Sequence, residues 1–460
     1  MLYDPGSYRD PAGRVLADGE RILRAVFEPG RKAFEAAMDA GIMERAVERS
    51  LLLPYRQLDL SSLPAMDRTA SYLLEHPRLN FVSYPYEWSF SGLKAAALLH
   101  LDLHLELLGD GFTLSDATAY NVQFRGTKPV FIDHLSIIPY QDGEAWIGQR
   151  QFVMQFLAPL ILWAKKGVAP NPWFRGSLEG IPPEDLLPLL SFRDRLSFTV
   201  LAHIIGPSKV QRQALAQERK EHAKPRGTLT RKRLEAILIG LRDYISGLSP
   251  LGMQTVWRGY DSNNSYDDDS RAAKHSFVAG HVAQVRPELL FDLGCNSGDY
   301  SQTALLNGAQ NVIGFDFDFG ALEQAFARFA KNDAPFLPLW LDATNPTPSQ
   351  GWAEQERMSF SQRAAPDFLL ALAFIHHLAI ARNIPLEMAV NWLISLAPTG
   401  VIEFPDKGDA MVSTLLATRS HDYPDYSLDA FMHHLRARAR IVDSQPIEGT
   451  KRTLVRYDRY

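Results

Sequence analysis

The stretch LLFDLGCNSGDYS, residues 289–301, decides the fold. Its first five residues are apolar apart from Asp292, the pattern of a strand buried on both faces. They run straight into Gly294 and Gly298, set in a small polar turn. Missing Cβ atoms at two such positions let a ligand approach the backbone and the N-terminus of the helix that follows. Downstream the same alternation continues: strand NVIGFDF (311–317), helix GALEQAFARFAK (320–331), strands FLPLWLDA (336–343) and DFLLALAF (367–374), helix LEMAVNWLISLA (386–397) and strand VIEF (401–404). Alternating apolar strands and helices mark a parallel sheet covered on both faces, an α/β fold. The tail ARIVDSQPIEGTKRTLVRYDR (439–459) reads instead as an antiparallel hairpin.

Ligands of open α/β sheets bind beyond the carboxyl ends of the strands. Those ends carry Asp292, Asp316 and Asp342. A carboxylate in the place of Asp316, eighteen positions past Gly298, accepts the hydroxyls of a ribose, and Asp342 suits an exocyclic adenine amine. Three carboxylates repel a pyrophosphate and favour a neutral or cationic nucleoside. The G-x-G-x-x-G fingerprint of dinucleotide sites is unfulfilled, since positions 296 and 299 are Asn and Asp.

Asp292-Leu293-Gly294-Cys295-Asn296-Ser297-Gly298, with the ordered acidic strand ends, resembles the first motifs of the class I S-adenosylmethionine-dependent methyltransferases over residues 255–457. The departure is Asn296, where that family commonly has a middle glycine. IHHL (375–378) followed by IEF (402–404) resembles the sugar and small-molecule O-methyltransferases, in particular the NoeA-like nodulation proteins. The resemblance implies S-adenosylmethionine as cofactor, held by Asp292, Gly294, Asn296, Gly298, Asp316 and Asp342. Upstream, WRGYDSNNSYDDDSRAAKHSFV (257–278) is similar to the family's N-terminal cap and offers Tyr260, Tyr266 and Lys274 to the methionine end; a purely structural lid is the other reading. The resemblance implies O-methylation of a hydroxyl or acid group of a saccharide or other small-molecule acceptor, and His376 or His377 is the expected base for a hydroxyl, provided an imidazole pKa near neutrality. Positioning alone, with neither histidine as base, is the alternative.

The chain has 460 residues, enough for at least two domains, with 46% hydrophobic and 22% charged residues. A net charge of -5 supplies no global attraction for nucleic acid. One cysteine, Cys295, excludes an internal disulfide framework and a multi-cysteine zinc site, and a reducing cytoplasm is expected. No signal-like start and no membrane-spanning apolar run is expected either. The polar stretch GLSPLGMQTVWRGYDSNNSYDDDS (247–270) reads as a junction, giving domains 1–250 and 251–460.

The first half has its own pattern. Residues 1–88 read as a small α+β lobe: a hairpin in GRVLADGERILRAVFEPG (13–30), helix in RKAFEAAMDAGIMERAVERSLL (31–52) and a β-rich LNFVSYPYEW (79–88). Residues 89–250 read as a helical lobe, beginning with SGLKAAALLHLDLHLELLGDG (91–111), whose helix is expected to stop at Gly109. The basic stretch KVQRQALAQERKEHAKPRGTLTRKR (209–233) lacks interleaved aromatics and reads as a solvated helix and loop, so no nucleic-acid partner is expected. Asp116, Asn121 and Asp133 in LSDATAYNVQFRGTKPVFIDH (114–134) resemble the catalytic loop and metal-binding aspartate of the protein-kinase and aminoglycoside-phosphotransferase superfamily, which implies Mg-ATP as ligand. No Gly-rich phosphate loop or strand lysine is legible in residues 10–60, and Leu114-Ser115 stand where that superfamily has histidine or arginine. Phosphotransfer, a bifunctional kinase and methyltransferase, and a non-catalytic substrate-binding module all remain open. His100 and His104 share a helix face in HLDLH, but Asp102 points away, so no metal site is expected.

Overall fold

The computed structural model describes residues 2–62, 69–207, 229–252 and 268–460. The chain forms two compact units: Met1–Phe124 with Lys128–Met253 and Ser349–Arg357, and Arg125–Thr127 with Gln254–Pro348 and Met358–Tyr460.

The first unit opens with an antiparallel sheet of β1 (Leu2–Tyr3), β2 (Gly13–Asp18), β3 (Arg21–Val26), β4 (Arg56–Leu58) and β5 (Tyr72–His76), in the order β1-β2-β3-β5-β4. Alternation of side chains along the strands sends Leu16, Leu23, Ala25 and Leu73 to one buried cluster. Helices Glu28–Asp39 and Ile42–Glu48 interrupt the sheet between β3 and β4.

The strand expected in residues 79–88 is absent. The segment is irregular around a short helical turn, Pro85–Glu87. Pro85 has no N–H to give a ladder, and side chains satisfy the backbone in place of a neighbouring strand. Gln123 bonds both the N–H and the C=O of Ser83, and Asn171 Nδ2 donates to the carbonyls of Tyr86 and Trp88 at 2.9 and 3.0 Å. Its aromatic residues Tyr84, Tyr86 and Trp88 are core residues, which is why the segment looks β-like by composition. The next helix, Phe90–Gly109, runs through Gly109; the left-handed residue beyond its end is Gly111, at φ +83°. Two short pairs follow, β6 (Phe112–Leu114) with β9 (Ile137–Pro139) and the hairpin of β7 (Val122–Arg125) and β8 (Lys128–Phe131).

The second unit is a mixed sheet of β10 (Leu289–Leu293), β11 (Asn311–Asp316), β12 (Phe336–Trp340), β13 (Phe368–Ala371), β14 (Thr399–Pro405), β15 (Ala439–Ile447) and β16 (Arg452–Arg459). Their order is β12-β11-β10-β13-β14-β16-β15. The first five strands are parallel, and β16 runs antiparallel to both its neighbours. All five residues of β10 are buried, as expected of a central strand covered on both faces. Helices Asp268–Val285, Asp299–Leu306, Phe319–Ala330 and Leu386–Leu396 accompany the parallel strands. Parallel register brings the carboxyl ends of β10 to β14 to one edge, so residues distant in sequence converge there.

Among the described residues no helix is long and apolar enough to cross a membrane.

Candidate active site

A pocket opens at the carboxyl ends of the parallel strands. Its walls include Asp292 of β10 with Gly294 and Asn296 just beyond it, Asp316 at the end of β11, Asp342 after β12, and Ala373, Phe374 and His377 after β13, with Lys274 from the helix Asp268–Val285. Of the residues singled out from sequence, Gly298 and His376 do not line it, and Tyr260 and Tyr266 lie outside the described residues.

The turn is held by its backbone. Gly294 and Gly298 take φ +76° and +85°, and Asn296 between them takes φ +50°, the left-handed geometry that Asn tolerates better than most side chains. A Cβ at Gly294 would stand 3.0 Å from the Phe374 ring, and one at Gly298 only 2.6 Å from the Phe329 ring. Gly298 therefore serves the packing of the turn on the helix Phe319–Ala330 while Gly294 shapes the pocket wall.

Two carboxylates are fixed by hydrogen bonds, and neither forms a salt bridge among the described residues. Asp316 accepts the backbone N–H of Asn296 and of Asp318, each at 2.8 Å. Asp292, 2% exposed, accepts the Ser301 hydroxyl at 2.6 Å. Burial pushes each carboxyl up to about 6 against the pull of these hydrogen bonds. Desolvated carboxylates with unused lone pairs favour a ligand that brings hydroxyl and ammonium donors, and the fit to a ribose and an amino-acid end is good. Asp342 accepts both the N–H and the hydroxyl of Thr344 through one carboxylate oxygen, Oδ1.

The adjacent histidines separate. His377 lines the pocket at the start of a π-helical turn, His377–Ala381, whereas His376 is 1% exposed and neither of its ring nitrogens has a hydrogen-bond partner. Burial, and then the Arg452 guanidinium, hold His377 down to about 4. The near-neutral imidazole expected from sequence is thus replaced by one that is neutral at physiological pH and weakly basic.

Several pocket residues carried no signal read from sequence. Asp318 caps the helix Phe319–Ala330, accepting from Gly320 and Ala321, and an Asp directly before an apolar helical pattern is the cue that marks it. Tyr300, Phe317 and Arg382 also line the pocket, and nothing in their sequence spacing points to it.

In the first unit, Asp116, Asn121 and Asp133 do come together. Asn121 Nδ2 lies 3.3 Å from a carboxylate oxygen of each aspartate. The cluster also holds Arg24 of β3, whose Nη1 donates to Asp133 at 2.9 Å and whose Nη2 donates to the Ile132 carbonyl at 3.1 Å. Burial and the neighbouring Asp133 raise the Asp116 carboxyl above its usual range. Both Asp133 oxygens accept from protein groups, and among the described residues no group of three His, Cys, Asp or Glu side chains is placed to hold a metal ion. The arrangement does not fit a magnesium-nucleotide site as it stands. His100 and His104 are both fully buried; His104 bonds Thr113 at 2.7 Å, His100 packs on the Phe152 and Phe156 rings, and Asp102 pairs with Arg242.

No protein-family model matches the chain. Nodulation protein NoeA of Rhizobium meliloti (strain 1021) is 46% identical over 456 residues, which span 99% of this chain and 95% of that protein. Solved structures similar to the chain include the N-methyltransferase NodS from Bradyrhizobium japonicum WM9 in complex with S-adenosyl-L-homocysteine, at 11% identity, covering 45% of this chain and 99% of that one with a TM-score of 0.31. Magnesium protoporphyrin IX methyltransferase (ChlM) from Synechocystis PCC 6803 with bound S-adenosylhomocysteine is 16% identical, covering 44% of this chain and 93% of that one with a TM-score of 0.32.

Proposed function

The chain belongs to the nodulation protein NoeA family, and we propose that its second unit is an S-adenosylmethionine-dependent methyltransferase acting on a hydroxyl of a saccharide or other small acceptor. The observation that carries the reading is the Asp316 carboxylate, fixed by two backbone N–H groups in a pocket at the strand ends and without a salt bridge among the described residues. Asp316 takes the ribose hydroxyls, Asp342 the adenine amine, and Asp292 with Lys274 faces the amino-acid end. S-adenosylmethionine supplies an electrophilic methyl group with a neutral thioether as leaving group. The chain contributes orientation and water exclusion. His377 offers a neutral imidazole to hydrogen-bond the acceptor hydroxyl; its low basicity makes it a positioning group more than a strong base.

The saccharide acceptor and transfer to oxygen rest on the IHHL and IEF resemblance. A reducing, cytoplasmic setting accords with the lone buried thiol of Cys295. For the first unit, the Arg24–Asp133 pair occupies the aspartate that would hold a metal, which favours a non-catalytic substrate-binding module over phosphotransfer. Calorimetry on the full chain tests the main reading: S-adenosylhomocysteine is expected to bind with one site, and NAD and Mg-ATP are not. Absence of S-adenosylhomocysteine binding, or preference for NAD, ends it.

A further inference from the structure

Glu403 stands at the centre of a buried charge network that the sequence does not announce. It lies on β14 and is fully buried. Its Oε2 accepts two donors at once, Lys274 Nζ and the backbone N–H of Ala373, each at 2.6 Å. Its Oε1 faces Arg452 Nη1 at 3.5 Å, and Arg452 is clamped in turn by Asp409 through Nε at 2.7 Å and Nη2 at 3.1 Å. Asp409 also caps the helix Ala410–Ala417. Two cations and two carboxylates are therefore matched inside the protein, the condition under which buried charge is tolerated.

Both groups on Oε2 are pocket walls. Ala373 takes φ +48°, a left-handed conformation that is strained for an L-residue and persists only when its surroundings hold it. It is followed directly by Phe374, which faces Gly294, and then by the turn that carries His377. Lys274 lies 4.6 Å from the centre of the Tyr300 ring, another wall of the pocket.

We propose that Glu403 is a positioning residue that sets the pocket wall formed by Ala373 and Lys274, holding left-handed Ala373 and the Lys274 ammonium in one geometry through a single carboxylate oxygen. The assignment deepens the methyltransferase reading and rests on it for its functional consequence. It does not touch the ligand itself; it acts through Ala373 and Lys274.

Hydrogen exchange on the ligand-free full chain, read on residues 372–378, tests the positioning without any ligand. Glu403→Asp keeps the charge and withdraws the oxygen by one methylene. It is expected to speed exchange in that segment at least tenfold and to weaken S-adenosylhomocysteine binding at least tenfold. Ala373→Gly added to Glu403→Asp is expected to recover part of the affinity, because glycine adopts the turn without an external bond; a merely structural role for Glu403 gives no such recovery. Lys274→Met is expected to weaken binding while exchange at residues 372–378 stays at the wild-type rate. Wild-type exchange in Glu403→Asp overturns the proposal. Should that variant not fold, Glu403→Gln carries the test, and wild-type affinity there overturns it. A wild-type chain that binds no S-adenosylhomocysteine overturns the methyltransferase reading, and the exchange result still decides the role of Glu403 in the wall.

Discussion

The backbone N–H of Asn296 donates to Asp316 Oδ2 across 2.8 Å, tying the glycine turn after β10 to the end of β11. One hydrogen bond thus aligns the two elements that would face a nucleoside. The Asp316 carboxylate is the common point of both. Asp316→Ala is expected to weaken S-adenosylhomocysteine binding about 10- to 100-fold, the effect of losing one charge-assisted hydrogen bond of roughly 1.5–3 kcal/mol. Calorimetry measures it, and unchanged affinity removes Asp316 from the site.

Asp292 and Asp316 are raised to about 6 in the ligand-free pocket, so lowering the pH through that value protonates the acceptors a ligand needs. Affinity for S-adenosylhomocysteine is expected to be flat above pH 7 and to fall below pH 6 by up to about tenfold per pH unit for each proton displaced. Binding below pH 6 then releases protons, which calorimetry in buffers of different ionisation enthalpy detects. The sign for stability is opposite. A carboxyl whose folded pKa exceeds its unfolded value costs stability as pH rises from the ordinary carboxyl range to about 6. His377, depressed to about 4, costs stability as pH falls from the ordinary imidazole value. The two trends oppose one another in the same unit, which makes affinity a cleaner readout than melting temperature.

Gly298→Ala places a Cβ 2.6 Å from the Phe329 ring at φ +85°. Steric overlap and left-handed strain together are expected to cost about 2–4 kcal/mol, measured as a lowered urea midpoint for the second unit. A midpoint within error of wild type contradicts the packing role given to this glycine.

The two histidines are expected to respond differently to leucine. His376 has both ring nitrogens buried without partners, and His376→Leu exchanges an unsatisfied polar ring for an apolar group, a change expected to be neutral or stabilising by up to about 1 kcal/mol. His377→Leu is expected to leave stability within about 1 kcal/mol and to lower methyl transfer, since His377 lines the pocket. The reverse pattern in thermal melts and turnover would falsify the separation of their roles.

Arg24 and Asp133 have side chains only 12% and 16% exposed. Asp133→Ala leaves the guanidinium half of a largely buried pair and is expected to destabilise the first unit by about 2–4 kcal/mol. Arg24→Met with Asp133→Leu, which removes both charges, is expected to cost less than Asp133→Ala alone. A double variant no better than the single one shows that the pair does not set the local stability.

Much of the second unit was legible because its signals are local. Apolar β10 leading into Gly294 and Gly298, and acidic residues at the ends of β11 and β12, are features of contiguous stretches. Strand–helix alternation allows few arrangements beyond a parallel sheet, and a parallel sheet brings those strand ends to one edge. The same holds for the β2–β3 hairpin. Local pattern misled at residues 79–88, where buried aromatics look like a strand although Gln123 and Asn171 supply the hydrogen bonds.

The chain by itself therefore determined that the strand ends carry Asp292, Asp316 and Asp342, which line the pocket there, because hydrophobic period and backbone freedom act within a few residues. Only the tertiary structure decided which histidine meets the pocket, what Arg24 does to Asp133 from 109 positions away, and that Glu403 joins Lys274 across 129 positions to hold Ala373. Those relations depend on burial and on charge pairing in a desolvated interior, which become strong only after the sheet has closed water out.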